Sequence, residues 1–324
     1  MRSDIRNRCD FLLYDGIVPA RTVDETVLKG DANKQLGTVL RAENLTRLPW
    51  LLHGFSTRIG ASSRAYGKLQ LNLGFTKNDS KAAVARNRTL FLCALADEDP
   101  GGKDQIPSSP WVLITLRQVH SDIIHCINSV PNEALVGDGL LTSTPGLLLA
   151  IQTADCLPII LADTKRRAIG VFHAGWRGTV KRIVEKGVGE MQRWFGTKPG
   201  DLKAAIGPGI RSCCYDVGEE VREKFESQFS YAASLFREVK EADPVREKYP
   251  LLFLTARAPG HGDLPKKIFL DLVEANRRQL LAAGVPRKSI DASPLCTSCR
   301  TDLLFSYRAE KGNTGRLMAV AGVR

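Results

Sequence analysis

Residues 147–172 read LLLAIQTADCLPIILADTKRRAIGVF. Three apolar runs stand out: Leu147 to Gln152, Pro158 to Ala162 and Ala168 to Phe172. The first two are separated by TADCL, the last two by the polar turn Asp163 to Arg167. Each run has the length of a strand. None alternates apolar with polar residues, which is the pattern of strands covered on both faces. Beyond Phe172 the text changes to HAGWRGT and then to Val180–Phe195, where Ile183, Val184, Val188, Met191 and Trp194 fall at helical spacing. Thr179 stands where an N-cap hydroxyl would accept an orphan N–H of the first turn. Upstream, Trp111 to Leu116 reads as a strand and Gly137-Asp138-Gly139 as a turn. Further helices are predicted over Val217 to Phe229 and Ile268 to Ala283, and a last strand over Asp302 to Tyr307. Buried strands alternating with amphipathic helices give an α/β fold, with a mixed, largely buried sheet layered with helices.

The chain has 324 residues, 43% hydrophobic and 25% charged, the usage of a globular protein that folds without disulfides or metal. Residues 1–45 carry mixed charge and little periodicity; they read as an N-terminal extension with one short strand at Phe11 to Leu13. Residues 46–324 form a single catalytic domain, with irregular excursions at Asp97 to Ser109 and Glu238 to Lys266. The first residues lack the apolar core of a signal peptide, and no run is long enough to span a membrane. The eight cysteines are irregularly spaced, so reduced thiols in a cytoplasmic protein are expected. The net charge of +11 is scattered in short groups such as Lys165-Arg166-Arg167, which suits small anions better than nucleic acid. Nothing demands more than a monomer.

Three residues at strand ends bear the types a metal centre needs: His120 in RQVHS, Cys156 in QTADCLP and His173 after AIGVF. A borderline-soft ion such as zinc takes imidazole and thiolate, and three protein ligands leave a fourth position open. Spacing alone does not decide this, because a buried thiol or a hydrogen-bonded imidazole is the commoner state of any one of them. Cys156 with His173 also has the types of a thiol nucleophile and its base, so a cysteine hydrolase or amidase is the alternative reading. Cys296-Thr-Ser-Cys299 is a lone CxxC. The nearest adjacent pair, Cys213-Cys214, has the wrong spacing for a zinc knuckle, so the motif reads as a structural pair of thiols. The H-x-E and P-C-x-x-C signatures of zinc nucleobase deaminases are absent. Among glycine-rich turns, HAGWRGT presents Arg177 toward a cleft, Thr57-Arg58-Ile59-Gly60 offers Arg58, and Asn72 follows nearby. Gly207-Pro-Gly209 reads as a plain turn.

HGFSTRIGASS, LQLNLGF, VARNR, RQVHS, GDGLLT, QTADCLPIILAD, AIGVFHAGWRGTV, AAIGPGI, CCYDVGEEV and CTSCRTDLLFSYR followed by TGR resemble, in order, the laccase-domain or "polyphenol oxidoreductase" family. This YfiH-type family is regarded as purine nucleoside phosphorylases with deaminase activity. The resemblance covers roughly residues 50 to 320, without 238–266. It implies a fold similar to that of CNF-type toxins and one zinc ion per chain on His120, Cys156 and His173. It also implies phosphorolysis of adenosine, inosine, guanosine and methylthioadenosine with inorganic phosphate as co-substrate, plus adenosine deamination. On that reading Arg58 holds phosphate, Asn72 meets sugar or base hydroxyls, Gln118 or Asp155 orients water or base, and Arg177 faces the substrate. The family is also linked to peptidoglycan editing. Members usually read TRxGG where this chain has Thr57 to Ala61. A multicopper oxidase needs many histidines, and five, even with His53 and His125 near the site, are too few.

Overall fold

The computed structural model describes residues 39–96, 111–240 and 266–324. The predicted strand at Phe11 to Leu13, the Asp97 to Ser109 excursion and residues 241–265 of the second excursion lie outside these. Two sheets dominate. One has five strands in the order Val39–Leu40, Leu51–Ser56, Leu317–Val323, Leu147–Thr153 and Val112–Ile114. The other has six, in the order Ile290–Ala292, Leu202–Ile206, Leu157–Asp163, Ile169–Ala174, Gly139–Thr142 and Ile124–Cys126. Residues 39–45, assigned from sequence to the extension, are part of this body: Val39–Leu40 pairs with Leu51–Ser56, and the helix Glu43–Thr46 buries Leu45.

The unalternating apolar runs have the predicted cause. Leu149 and Ile151 meet Ile160, Ala162, Ile169 and Val171 in a core between the two sheets. The residues between them face outward onto helices. Leu148 and Ala150 pack with Phe91 and Leu95 of the helix Lys81–Ala96. Leu157, Ile159, Leu161 and Phe172 pack with Ile183, Val188 and Met191, and with Leu280 of the helix Leu272–Ala282. The layers therefore run helix, sheet, sheet, helix. Each fully buried Leu or Ile contributes about 1.5–3 kcal/mol of burial.

Five element predictions need correction. Thr179 lies inside a five-residue helix, Trp176–Val180, and its hydroxyl accepts from buried Asn276 at 2.9 Å. The chain then turns at Arg182, with φ of 63°, before the helix Ile183–Phe195. The Val217 to Phe229 helix shortens to Glu219–Glu226, because Asp216–Val217 pairs with a strand. That strand, Lys266–Leu270, occupies the start of the predicted Ile268 to Ala283 helix, which begins only after Asp271 caps Glu274 N–H at 2.9 Å. Asp302 to Tyr307 is a run of turns whose Leu303, Leu304 and Phe305 fill a small core of their own. Trp111 to Leu116 splits into Val112–Ile114 and the start of Leu116–Arg117, which pair with different strands.

His53 sits on the strand Leu51–Ser56, 1% exposed, and its Nε2 accepts the Ala42 N–H at 3.1 Å. Burial and the nearby Arg41 cation bring its pKa down from 6.5 to about 4. Between those values the unfolded chain takes up a proton that the folded chain refuses. Stability is therefore full above pH 6.5 and falls by about 3 kcal/mol as the pH drops to about 4. His53→Gln, which keeps an acceptor for Ala42, is expected to lose that share of the acid sensitivity. Denaturant titrations of both chains at pH 7 and pH 4.5 check this, and equal losses in the two would refute it.

Candidate active site and metal centre

The strand Leu147–Thr153 belongs to one sheet and Leu157–Asp163 to the other, so Ala154, Asp155 and Cys156 carry the chain between them. Asp155 makes this tight link with φ of 93°, in the left-handed region that costs a non-glycine residue energy. Its carboxylate is caged: the Thr297 and Ser306 hydroxyls donate to Oδ1 at 2.6 and 2.7 Å, and the Arg308 N–H to Oδ2 at 2.6 Å. Burial pushes its pKa up against those bonds. In the antiparallel pair Leu157–Asp163 with Ile169–Ala174, Pro158 lies opposite His173. Cys156, just before that strand, is thus delivered beside His173.

His120 arrives from the other side, and Asp138 brings it. The Asp138 carboxylate accepts the N–H groups of Val119, His120 and Ser121 and the Ser121 hydroxyl, at 2.6–3.2 Å. These bonds hold His120 at φ of 57°. The same carboxylate accepts the His173 Nδ1–H at 2.7 Å. Burial opposes the charge of Asp138, but the bonds from His173 and Ser121 keep it well below the usual carboxylate range. An ionised acceptor at Nδ1 fixes the ring's orientation and turns Nε2 of His173 toward Cys156.

The donor atoms of His120, Cys156 and His173 all lie within 4.8 Å of one another. The two imidazoles meet edge to face with centroids 4.9 Å apart, and Cys156 Sγ is 3.9 Å from His120 Nε2. Burial works against a Cys156 thiolate, yet His173 and His120 bring its pKa down to about 6; His173 in turn rises to about 9 against its own burial. Gly175 makes the convergence possible, since a Cβ there would sit 2.8 Å from Cys156 Sγ and 3.2 Å from His120. Two imidazoles and a thiolate with an aspartate behind one imidazole fit a borderline-soft divalent ion. His120 is exposed at the edge of a cavity of about 690 Å³, so the centre opens to solvent on one side.

Of the other site residues expected from sequence, Gln118, Asp155 and Arg177 line this cavity. Gln118 spends its amide on both backbone groups of Gln152, at 2.7 Å each. Both carboxylate oxygens of Asp155 accept hydrogen bonds, so the printed bonds of Gln118 and Asp155 alike run to the protein itself. Arg177 stacks on Trp176 and has no carboxylate partner among the described residues. Arg58 and Asn72 are elsewhere. Arg58, 6% exposed, donates to Gln70 and to the Thr301 carbonyl, pairs with Glu310 at 3.0 Å and stacks on Phe305. Asn72 accepts the Arg316 N–H at 2.9 Å and donates to Asp79 at 2.8 Å, so it positions Arg316, which does line the cavity. His53 and His125 are also away from it, His125 bonded to the Val136 carbonyl.

Sequence reasoning missed Asp138, Trp176, Tyr215, Tyr307, Arg308 and Arg316. Asp138 was visible only as a turn residue in GDG; Arg308 and Arg316 stand in SYR and TGR, late segments with no local sign of facing His120. Cys213 and Cys214 lie against Cys296 and Cys299, a proximity that the 81 intervening residues hide in the sequence.

With this geometry, residues 52–324 match the family model for multi-copper polyphenol oxidoreductase laccase. The chain belongs to this family. Its members include a purine nucleoside phosphorylase of Geobacillus stearothermophilus, 34% identical over 280 residues, 84% of this chain and 89% of that protein. One from Deinococcus radiodurans is 35% identical, over 88% and 92% of the two chains. A protein from an unknown prokaryotic organism named adenosine deaminase is 35% identical over 63% of this chain and 72% of its own length. The crystal structure of YlmD from Geobacillus stearothermophilus superposes with a TM-score of 0.69 at 31% identity, over 88% of this chain and 96% of that one. Despite the family's description, the histidines needed for a cluster of several copper ions do not gather among the described residues. No helix among them is long and apolar enough to cross a membrane.

Asp138→Asn keeps the size of the group behind His173 but removes its charge. It is expected to weaken metal binding at His120, Cys156 and His173 by about 10- to 100-fold with the fold intact. Competition titration against a zinc chelator reads this, and unchanged affinity would mean that Asp138 does not orient the ligand.

Proposed function

We propose that this chain is a zinc-dependent purine nucleoside phosphorylase that also deaminates adenosine. The observation that carries the reading is the joint lining of one cavity by His120, Cys156 and His173 together with aromatic side chains and arginines. Zinc held by those three residues supplies a Lewis acid that works near neutral pH with a position open to reactants. The chain's own residues do the rest. Trp176, Tyr215 and Tyr307 offer flat faces to a purine and ribose. Burial and the neighbouring Cys156 push the Tyr215 phenol up, so it stays a neutral donor. Arg177 and Arg316 take the role first expected of Arg58, since both line the cavity and neither has a carboxylate partner among the described residues. Arg308 is held by Asp216 and shapes the wall. The volume of about 690 Å³ admits a nucleoside together with a phosphate.

The lowered thiol of Cys156 beside His173 is what favours the second reading, a cysteine hydrolase. The two readings part on metal. The zinc reading expects Cys156→Ala to lose one equivalent of zinc and about 100-fold or more of the activity on adenosine. It also expects chelation to abolish turnover and expose Cys156 to iodoacetamide. Activity that survives chelation and is lost to iodoacetamide would assign the hydrolase. For the anion site, Arg316→Ala is expected to raise the KM for phosphate about tenfold, close to 1.4 kcal/mol, and to slow phosphorolysis more than deamination. Arg58→Ala is expected to lower the thermal midpoint without moving that KM. Product analysis with and without phosphate, following inosine, adenine and ribose 1-phosphate, checks the kinetic outcomes of both variants, and a thermal melt checks the midpoint.

A further inference from the structure

We propose that Cys213, Cys214, Cys296 and Cys299 form a second metal centre, a closed four-thiolate site for a structural zinc ion. Their sulfurs all lie within 4.8 Å of one another. Cys299 Sγ is 3.5 Å from Cys213 Sγ and 3.3 Å from Cys214 Sγ. A disulfide needs about 2.05 Å. A tetrahedral ion with Zn–S bonds of about 2.3 Å places its sulfurs roughly 3.8 Å apart, close to what is found. Cys296 is buried and the other three are half-buried, so four protein ligands enclose the position and none is left for substrate. The all-sulfur set selects a soft ion, in contrast to the open, mixed set around His173.

The backbone is built to the same end. Gly209 and Cys296 bridge in parallel, and the Thr297 N–H donates to the Gly209 carbonyl at 3.1 Å, which joins the two segments. Binding displaces the thiol protons to solvent and oxidises nothing. The ion's consequence lies next door. Thr297, between two of the ligands, donates to Asp155 beside Cys156, and Tyr215, directly after Cys214, lines the active cavity. A metal here locks that wall without touching substrate.

The test is zinc content with zinc K-edge absorption spectroscopy on three chains: wild type, the double variant C156A/H173A and the double variant C296S/C299S. The expected counts are about two, one and one zinc per chain, and the zinc left in C156A/H173A has four sulfurs at about 2.3 Å. If either variant fails to fold, the wild type alone decides, because two such centres average about 2.5 sulfurs per zinc. One all-sulfur zinc in the wild type supports this centre while removing the ion from His120, Cys156 and His173, so the two assignments fail separately. One zinc with a single sulfur, or a disulfide joining Cys299 to Cys213 or Cys214 in the non-reduced protein, overturns the proposal.

Discussion

The site depends on a crossing of three residues. A chain that runs along one sheet through Thr153 and enters the facing sheet at Leu157 has only Ala154, Asp155 and Cys156 in which to cross the core. Asp155 makes the turn in the left-handed region, at φ of 93°. The cost is offset by three hydrogen bonds to its carboxylate from segments near the C-terminus. The arrangement places a thiol at the rim where both sheets end, and it makes residues 297–308 a structural part of the centre although they bear none of its ligands.

Asp138 performs a comparable task for the imidazoles. One carboxylate, buried and charged, gathers the backbone of residues 119–121 and orients His173, so both histidines are fixed by one group. Because it binds through backbone N–H groups on one side and a ring N–H on the other, its loss would disturb two ligands together. The basic character of the chain finds a local use here as well. Several of the described arginines are consumed in ion pairs or, like Arg58, in buried structural bonds, and those without a carboxylate partner among the described residues include Arg177 and Arg316 in the cavity.

Much of the fold was legible locally. The strands around TADC and their two covered faces follow from apolar runs too continuous for a half-exposed sheet, and the structure places them within one or two residues of the reading. The errors came where a short segment's partner lay far away. Ile268 to Leu270 has helical neighbours but pairs with Asp216–Val217, and Asp271 with Glu274 was the cap that marked the true start. Asp302 to Tyr307 looks like a strand by composition, but its apolar side chains close a corner around Arg58.

By itself the sequence determined the layered α/β architecture and the ligand-type residues at strand ends, because burial periodicity and residue chemistry are local properties. Only the tertiary structure decided which polar residues meet. Asp138 and His173 are 35 positions apart, Asp155 and Ser306 are 151, and Cys213 and Cys299 are 86. Such encounters depend on strand order and register, which many side-chain patterns satisfy equally well. The same reason separates Arg58, turned into the core, from Arg316, turned into the cavity.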